Sequence, residues 1–128
     1  MKVLLLMVAV SLAVGTLLAS CSQSPSTIEA VEGTWIRVQN DSAVDYDQVI
    51  VGFPGQREDY GPVAAGTESE YRKIPIAYRY ASVEVYVSEV KHDLQVFDYV
   101  GETPLDNGRF TYAISMEENH IVLTFVER

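Results

Sequence analysis

Cys21 is the single thiol of the chain, and it stands directly after an apolar run that begins beside Lys2. With no second cysteine an internal disulfide is excluded, and an unpaired exposed thiol is a liability in an oxidising compartment. The two histidines, His92 and His120, fall in segments that read as hairpin turns, with Asp93, Glu117 and Glu118 close by. At one end of a domain they would make a transition-metal site, but two solvated turn histidines are the expectation, and no metal is assigned. Asp41, Asp45 and Asp47 crowd one loop with oxygen donors. Calcium needs six to eight oxygens, and this spacing is not that of an EF-hand. Asn and Asp are also ordinary turn residues, so the loop carries no assigned ion and the chain no assigned cofactor. The phosphate-loop, nucleophile-elbow and zincin patterns do not occur,. What remains is a group of tyrosines, Tyr78, Tyr80 and Tyr86, whose rings could stack on a sugar or anchor a protein partner.

The elements that hold these residues begin with a leader. Met1-Lys2 is a short positive start, and 3–18 is apolar except at Ser11, Gly15 and Thr16. A membrane-spanning helix wants about 20 apolar residues, and Ser20, Cys21 and Ser22 end the run early. Residues 1–20 therefore read as a secretory signal peptide. Leu18-Ala19-Ser20-Cys21 resembles the lipobox of bacterial lipoproteins: a branched apolar residue, two small residues, then the modified cysteine. The resemblance implies a diacylglycerol thioether on Cys21, cleavage before it and acylation of the new amine. One acyl chain holds a protein marginally, whereas two or three anchor it stably, at about 0.8 kcal/mol per buried methylene. With Ser22 rather than an acidic residue next in the chain, the pattern is similar to that of lipoproteins sorted to the outer membrane, facing the periplasm. Residues 21–33 are polar, Ser-rich and marked by Pro25, and read as a lipidated N-terminus and flexible tether, with a reach of at most about 40 Å from Ser22 to Gly33,.

Charge narrows the partners. The 9 basic residues lose Lys2 with the leader, and 8 against 18 acidic residues leave a formal charge of −10. Such a surface repels phosphate backbones, so no nucleic-acid partner is expected. It also disfavours direct adhesion to anionic headgroups, which the covalent lipid makes unnecessary.

From residue 34 to 128 the periodicity is that of strands. Alternation or short apolar runs mark 35–39, 47–53, 68–74, 81–90, 94–100, 109–116 and 121–126,. Val83, Val85 and Val87 share one parity and Tyr86 takes the other, so the valines face a core and the tyrosines face out. Turn residues separate the segments at Pro54-Gly55, Gly66-Thr67, Lys91-His92-Asp93, Asp106-Asn107-Gly108 and Glu117-Glu118-Asn119,. Pro54 to Gly66 reads as a loop, and 94–100, apolar on both parities, as a central strand. These seven strands predict an antiparallel two-sheet sandwich, with a small barrel as the alternative.

Asp106-x-Gly108-x-Phe110-x-Tyr112 resembles the approach to strand F of immunoglobulin-like domains. Phe110 stands where that pattern has a tyrosine, and Tyr112 where it has a cysteine,. A wider resemblance runs through Arg37-Val38-x-Asn40-x-Ser42, Tyr60-Gly61, Gly66-x-x-Ser69-x-Tyr71 and Asp98-Tyr99-Val100-Gly101-Glu102-x-x-Leu105-x-x-Gly108-x-x-Thr111-Tyr112. It is similar to a group of small uncharacterised β-sandwich lipoproteins, and implies a fold without an activity. The expectation is a non-catalytic envelope module, held to the membrane through Cys21, with an envelope protein or glycan as its partner. An enzyme built from carboxylates and tyrosines is the alternative.

Overall fold

The computed structural model describes residues 30–127; the signal segment, Cys21 and most of the tether lie outside the described residues. Eight strands form: β1 (Thr34–Asn40), β2 (Tyr46–Phe53), β3 (Gln56–Val63), β4 (Arg72–Ile74), β5 (Ser82–Val87), β6 (Val90–Leu94), β7 (Gly108–Glu117) and β8 (His120–Val126). They make two four-stranded sheets, ordered β4-β1-β7-β8 and β3-β2-β5-β6. The class is the expected one, an all-β sandwich.

Alternation drives the packing. β1 buries every second residue, Ile36 and Val38 among them, while β2 buries Val49, Val51 and Phe53 and β5 buries Val83 and Val85. β7, beside β1, answers β2 and β5 from the facing sheet with Phe110, Tyr112 and Ile114. Burying each large apolar side chain contributes about 1.5–3 kcal/mol. Hydroxyls tie the sheets together through the core: Tyr46 donates to the Ile114 carbonyl at 2.9 Å and Tyr60 to the Ile36 carbonyl at 2.9 Å. In both cases the ring comes from one sheet and the carbonyl from the other.

Four features differ from the sequence expectation. First, β1 and β7 pair in parallel, Thr34 beside Gly108 through to Asn40 beside Ile114, so the sandwich is not wholly antiparallel. Second, 56–63 is a strand rather than a loop. Its charged outer residues and Pro62 suit an edge, and an irregular register against β2 turns Tyr60 inward,. Third, 94–100 is not a central strand. The hairpin turn after β5 is Ser88-Glu89, β6 is a charged edge strand containing His92, and 95–107 is a long connection to β7. Fourth, the strand expected over 68–74 shrinks to β4, preceded by a single bridge between Gln39 and Glu68.

Register sorts the connections into two ends. The starts of β1, β5 and β7 lie together with the ends of β2, β4, β6 and β8, because Thr34 pairs with both Ile74 and Gly108, Gly52 with Ser82, Val83 with Leu94 and Thr111 with Val126. This end therefore carries the first described residues and the connections 75–81 and 95–107. The opposite end carries the loop 41–45 and the turns at Ser88-Glu89 and Glu118-Asn119.

Candidate functional site

The long connection 95–107 is held in place by its own polar groups. Val96 donates its N–H to the Ser82 hydroxyl at 2.8 Å, Glu102 donates to the Tyr99 carbonyl at 2.9 Å, and Leu105 donates to the Ala77 carbonyl at 2.8 Å. Gly101 takes φ +85° in the turn that the Glu102 bond closes, a conformation that favours glycine,. Around this frame the side chains divide. Tyr99 folds back and stacks on Tyr78, with ring centroids 4.3 Å apart and planes 14° from parallel, and on Tyr80 at 5.3 Å and 29°. Phe97 and Val100 point away, 90% and 85% exposed.

Burial raises the Tyr99 hydroxyl pKa, reinforced by Tyr80 and Tyr78; desolvation also raises that of Tyr80, reinforced by Glu102, Asp98 and Tyr78. Stacked phenol rings offer flat faces and hydroxyl donors. The tyrosine hydroxyl of Tyr112, buried beneath, donates to the Tyr78 carbonyl at 2.5 Å and fixes the backbone under the stack. Beside it an open recess of about 560 Å³ is bordered by Arg79, Leu105, Asp106, Arg109 and Glu127, which mixes both signs of charge.

The sequence-predicted platform is thus rearranged. Tyr78 and Tyr80 come together, but through Tyr99, and they sit in the irregular 75–81 connection rather than on a strand. Tyr86 stands apart on the outer face of β5, opposite Gln48 and Lys91, and borders a separate shallow recess with Asp47, Asp59 and Pro62. The valine parity behaves as read: Val83 and Val85 are buried, and Val87 packs half-buried against the core. Tyr99, Phe97 and Val100 were missed as site residues because a doubly apolar run reads as a buried strand. The turn signals that would have found them are Asp98, Gly101 and Pro104, three loop-formers within seven positions,.

The other candidates are dispersed. His92 lies within β6, in register with Val85, and His120 opens β8 opposite Glu117. Among the described residues no group of three or more His, Cys, Asp or Glu side chains is arranged to hold a metal ion. Asp45 accepts from the Ala65 N–H at 2.8 Å and Asp47 from the Ser88 N–H at 2.7 Å, so their carboxylates serve loop backbone in two directions. Asn40, fully buried, donates to the carbonyls of Val44 and Val63.

No family model matches the chain, and no curated protein matches it. Among solved structures, an NMR structure of a protein from Eubacterium rectale is similar, with a TM-score of 0.51 and 14% identity, covering 70% of this chain and 86% of that one. At that identity the likeness shows the fold alone.

Proposed function

We propose that the chain is a bacterial envelope lipoprotein, anchored through lipid on Cys21, whose β-sandwich serves as a non-catalytic binding or envelope-structural module. The observation that carries this reading is Leu18-Ala19-Ser20-Cys21, placed directly after an apolar leader and directly before a polar tether,. Ser22 favours the outer membrane, with the domain facing the periplasm. The stacked Tyr78, Tyr99 and Tyr80 support a binding role, since aromatic rings held by stacking present area at small cost in side-chain entropy,. Replacing Cys21→Ala tests the anchor. The expected result is a folded sandwich lost from the membrane fraction, together with loss of the acyl mass from the mature N-terminal peptide. An unmodified Cys21 in the parent chain, with the protein free of membrane, refutes the reading.

A further inference from the structure

We infer that the 95–107 connection is a second membrane contact: Phe97 and Val100 enter the interfacial layer of the same bilayer that holds the Cys21 lipid. The inference rests on the lipoprotein reading and names the occupant of the apolar end of the sandwich.

Three observations converge. The first is the distribution of exposed apolar residues. Phe97, Val100, Ile76 and Val126, at 90%, 85%, 46% and 41% exposure, all lie on segments of one end, with Tyr78, Tyr80 and Tyr99 beside them. The opposite end exposes only Val44 and Val90 among its described large apolar residues, each less fully than Phe97 or Val100. Amphipathic rings grouped with outward aliphatic side chains match what sits at a membrane–water boundary.

The second is where the chain enters. The Gly33 N–H donates to Asn107 Oδ1 at 3.1 Å, and the Gly108 N–H donates to the Gly33 carbonyl at 3.0 Å. The Thr34 hydroxyl donates to the Asp106 carbonyl at 2.9 Å. The tether therefore joins the domain against the very connection that carries Phe97 and Val100. At about 3.3–3.6 Å per residue, the stretch from Cys21 to Ala30 has a reach of at most about 35 Å, and it joins the domain at this end,.

The third is that the connection is braced to present apolar groups outward. Its hydrogen bonds close a turn at 99–102 and tie Val96 and Leu105 to neighbouring segments, while Tyr99 is used internally and Phe97 and Val100 are left out. A soluble partner would also welcome such a patch, but the tether holds it against the bilayer at high effective concentration before any partner arrives. The connection carries Asp98 and Glu102 and the adjoining recess Arg79 and Arg109 beside Asp106 and Glu127, so this end is of mixed charge and its apolar side chains carry the contact.

The test uses the full lipidated chain reconstituted in vesicles of phosphatidylethanolamine and phosphatidylcholine whose acyl chains carry bromine. Trp35, the one tryptophan, is replaced by phenylalanine, and single tryptophans are introduced as Phe97→Trp, Val100→Trp and, at the far end, Val90→Trp. The expected result is loss of most emission from positions 97 and 100 and retention at 90. The acyl mass of the mature N-terminal peptide is read on the same samples. An acylated chain with unquenched tryptophan at 97 and 100 overturns the contact and leaves the patch to an aqueous protein or glycan. Equal quenching at 90 and 97 overturns it as well, because the domain then has no preferred end. An unacylated Cys21 overturns the anchor reading, and the membrane assignment with it.

Discussion

Asn40 shows how much one buried polar side chain can govern. Its Nδ2 donates to the Val44 carbonyl at 2.7 Å and the Val63 carbonyl at 2.9 Å, its Oδ1 accepts from the Ser42 hydroxyl at 2.7 Å, and its backbone bonds Thr67 and Gly66. One residue thus joins the 41–45 loop, the end of β3 and the turn that follows it. An unpaired buried carbonyl costs about 1–3 kcal/mol, so Asn40→Ala is expected to destabilise by about 2–4 kcal/mol in denaturant unfolding. Asn40→Asp should cost at least as much, since it sets an acceptor against two acceptors. If Asn40→Ala shifts the midpoint negligibly, water replaces the amide and the residue is not a latch. From sequence Asn40 is one turn-former among several; its burial depends on β3, which lies 16 or more positions away and was read as a loop.

Among the elements, the least legible were the two edge strands β3 and β6; β8, an edge that packs apolar residues, was legible as 121–126. Central strands announce themselves because both their packing and their pairing demand apolar alternation, and β2, β5 and β7 were visible in Val49-Ile50-Val51, Val83 to Val87 and Phe110 to Met116,. Edge strands need only one buried side chain in several and carry charge as protection against further pairing, so β3 and β6 look like loops,. The parallel β1–β7 pairing has no local signature at all, because both strands alternate as antiparallel ones would. The β5–β6 turn was misplaced for a related reason. Ser88 and Glu89 both take positive φ, 50° and 70°, in a two-residue hairpin that ordinarily selects Asn-Gly,. Lys91-His92-Asp93 looks more turn-like in composition, yet it lies in β6. Replacing Ser88-Glu89 by Asn-Gly should therefore stabilise the domain by about 1 kcal/mol, since it removes left-handed strain while leaving the Ser88 N–H donor to Asp47 in place,. A fall in melting temperature would mean that the side chains of Ser88 or Glu89 do something the hairpin geometry does not require. The candidate site followed the same rule: Tyr78 and Tyr80 were legible as aromatic, but their meeting at Tyr99 depends on where the chain returns after β6.

At the scale of the whole molecule, the two sheets are joined by tyrosine hydroxyls as well as by apolar contact, and this gives the domain a pH limit on the alkaline side. Tyr60 and Tyr112 are raised far above the usual phenol range and Tyr46 less so, in each case first by burial; Glu58 adds to the rise at Tyr60 and Asp41 at Tyr46, while Tyr99 and then Tyr60 add to that at Tyr112. A phenol is neutral when protonated, so the fold holds the proton that the unfolded chain releases near pH 10. The stabilisation is complete below about pH 10 and declines as pH rises from there towards the folded values, because the unfolded state then binds fewer protons than the folded one. For Tyr60 and Tyr112 the loss is about 1.4 kcal/mol each per pH unit over that interval. A domain of this size has about 5–15 kcal/mol in hand, so cooperative unfolding is expected within a few units above pH 10. Tyrosinate absorbance should accordingly rise in two stages, first from the accessible rings and then, together with loss of sheet circular dichroism, from Tyr46, Tyr60 and Tyr112. Tyr60→Phe removes the titrating group at a modest cost at neutral pH, the loss of its bond to the Ile36 carbonyl,. It should flatten the decline above pH 10 relative to the parent. If the parent and Tyr60→Phe lose stability with the same slope, Tyr60 has no share in the alkaline transition, which then falls to Tyr112, Tyr46 or general charge repulsion.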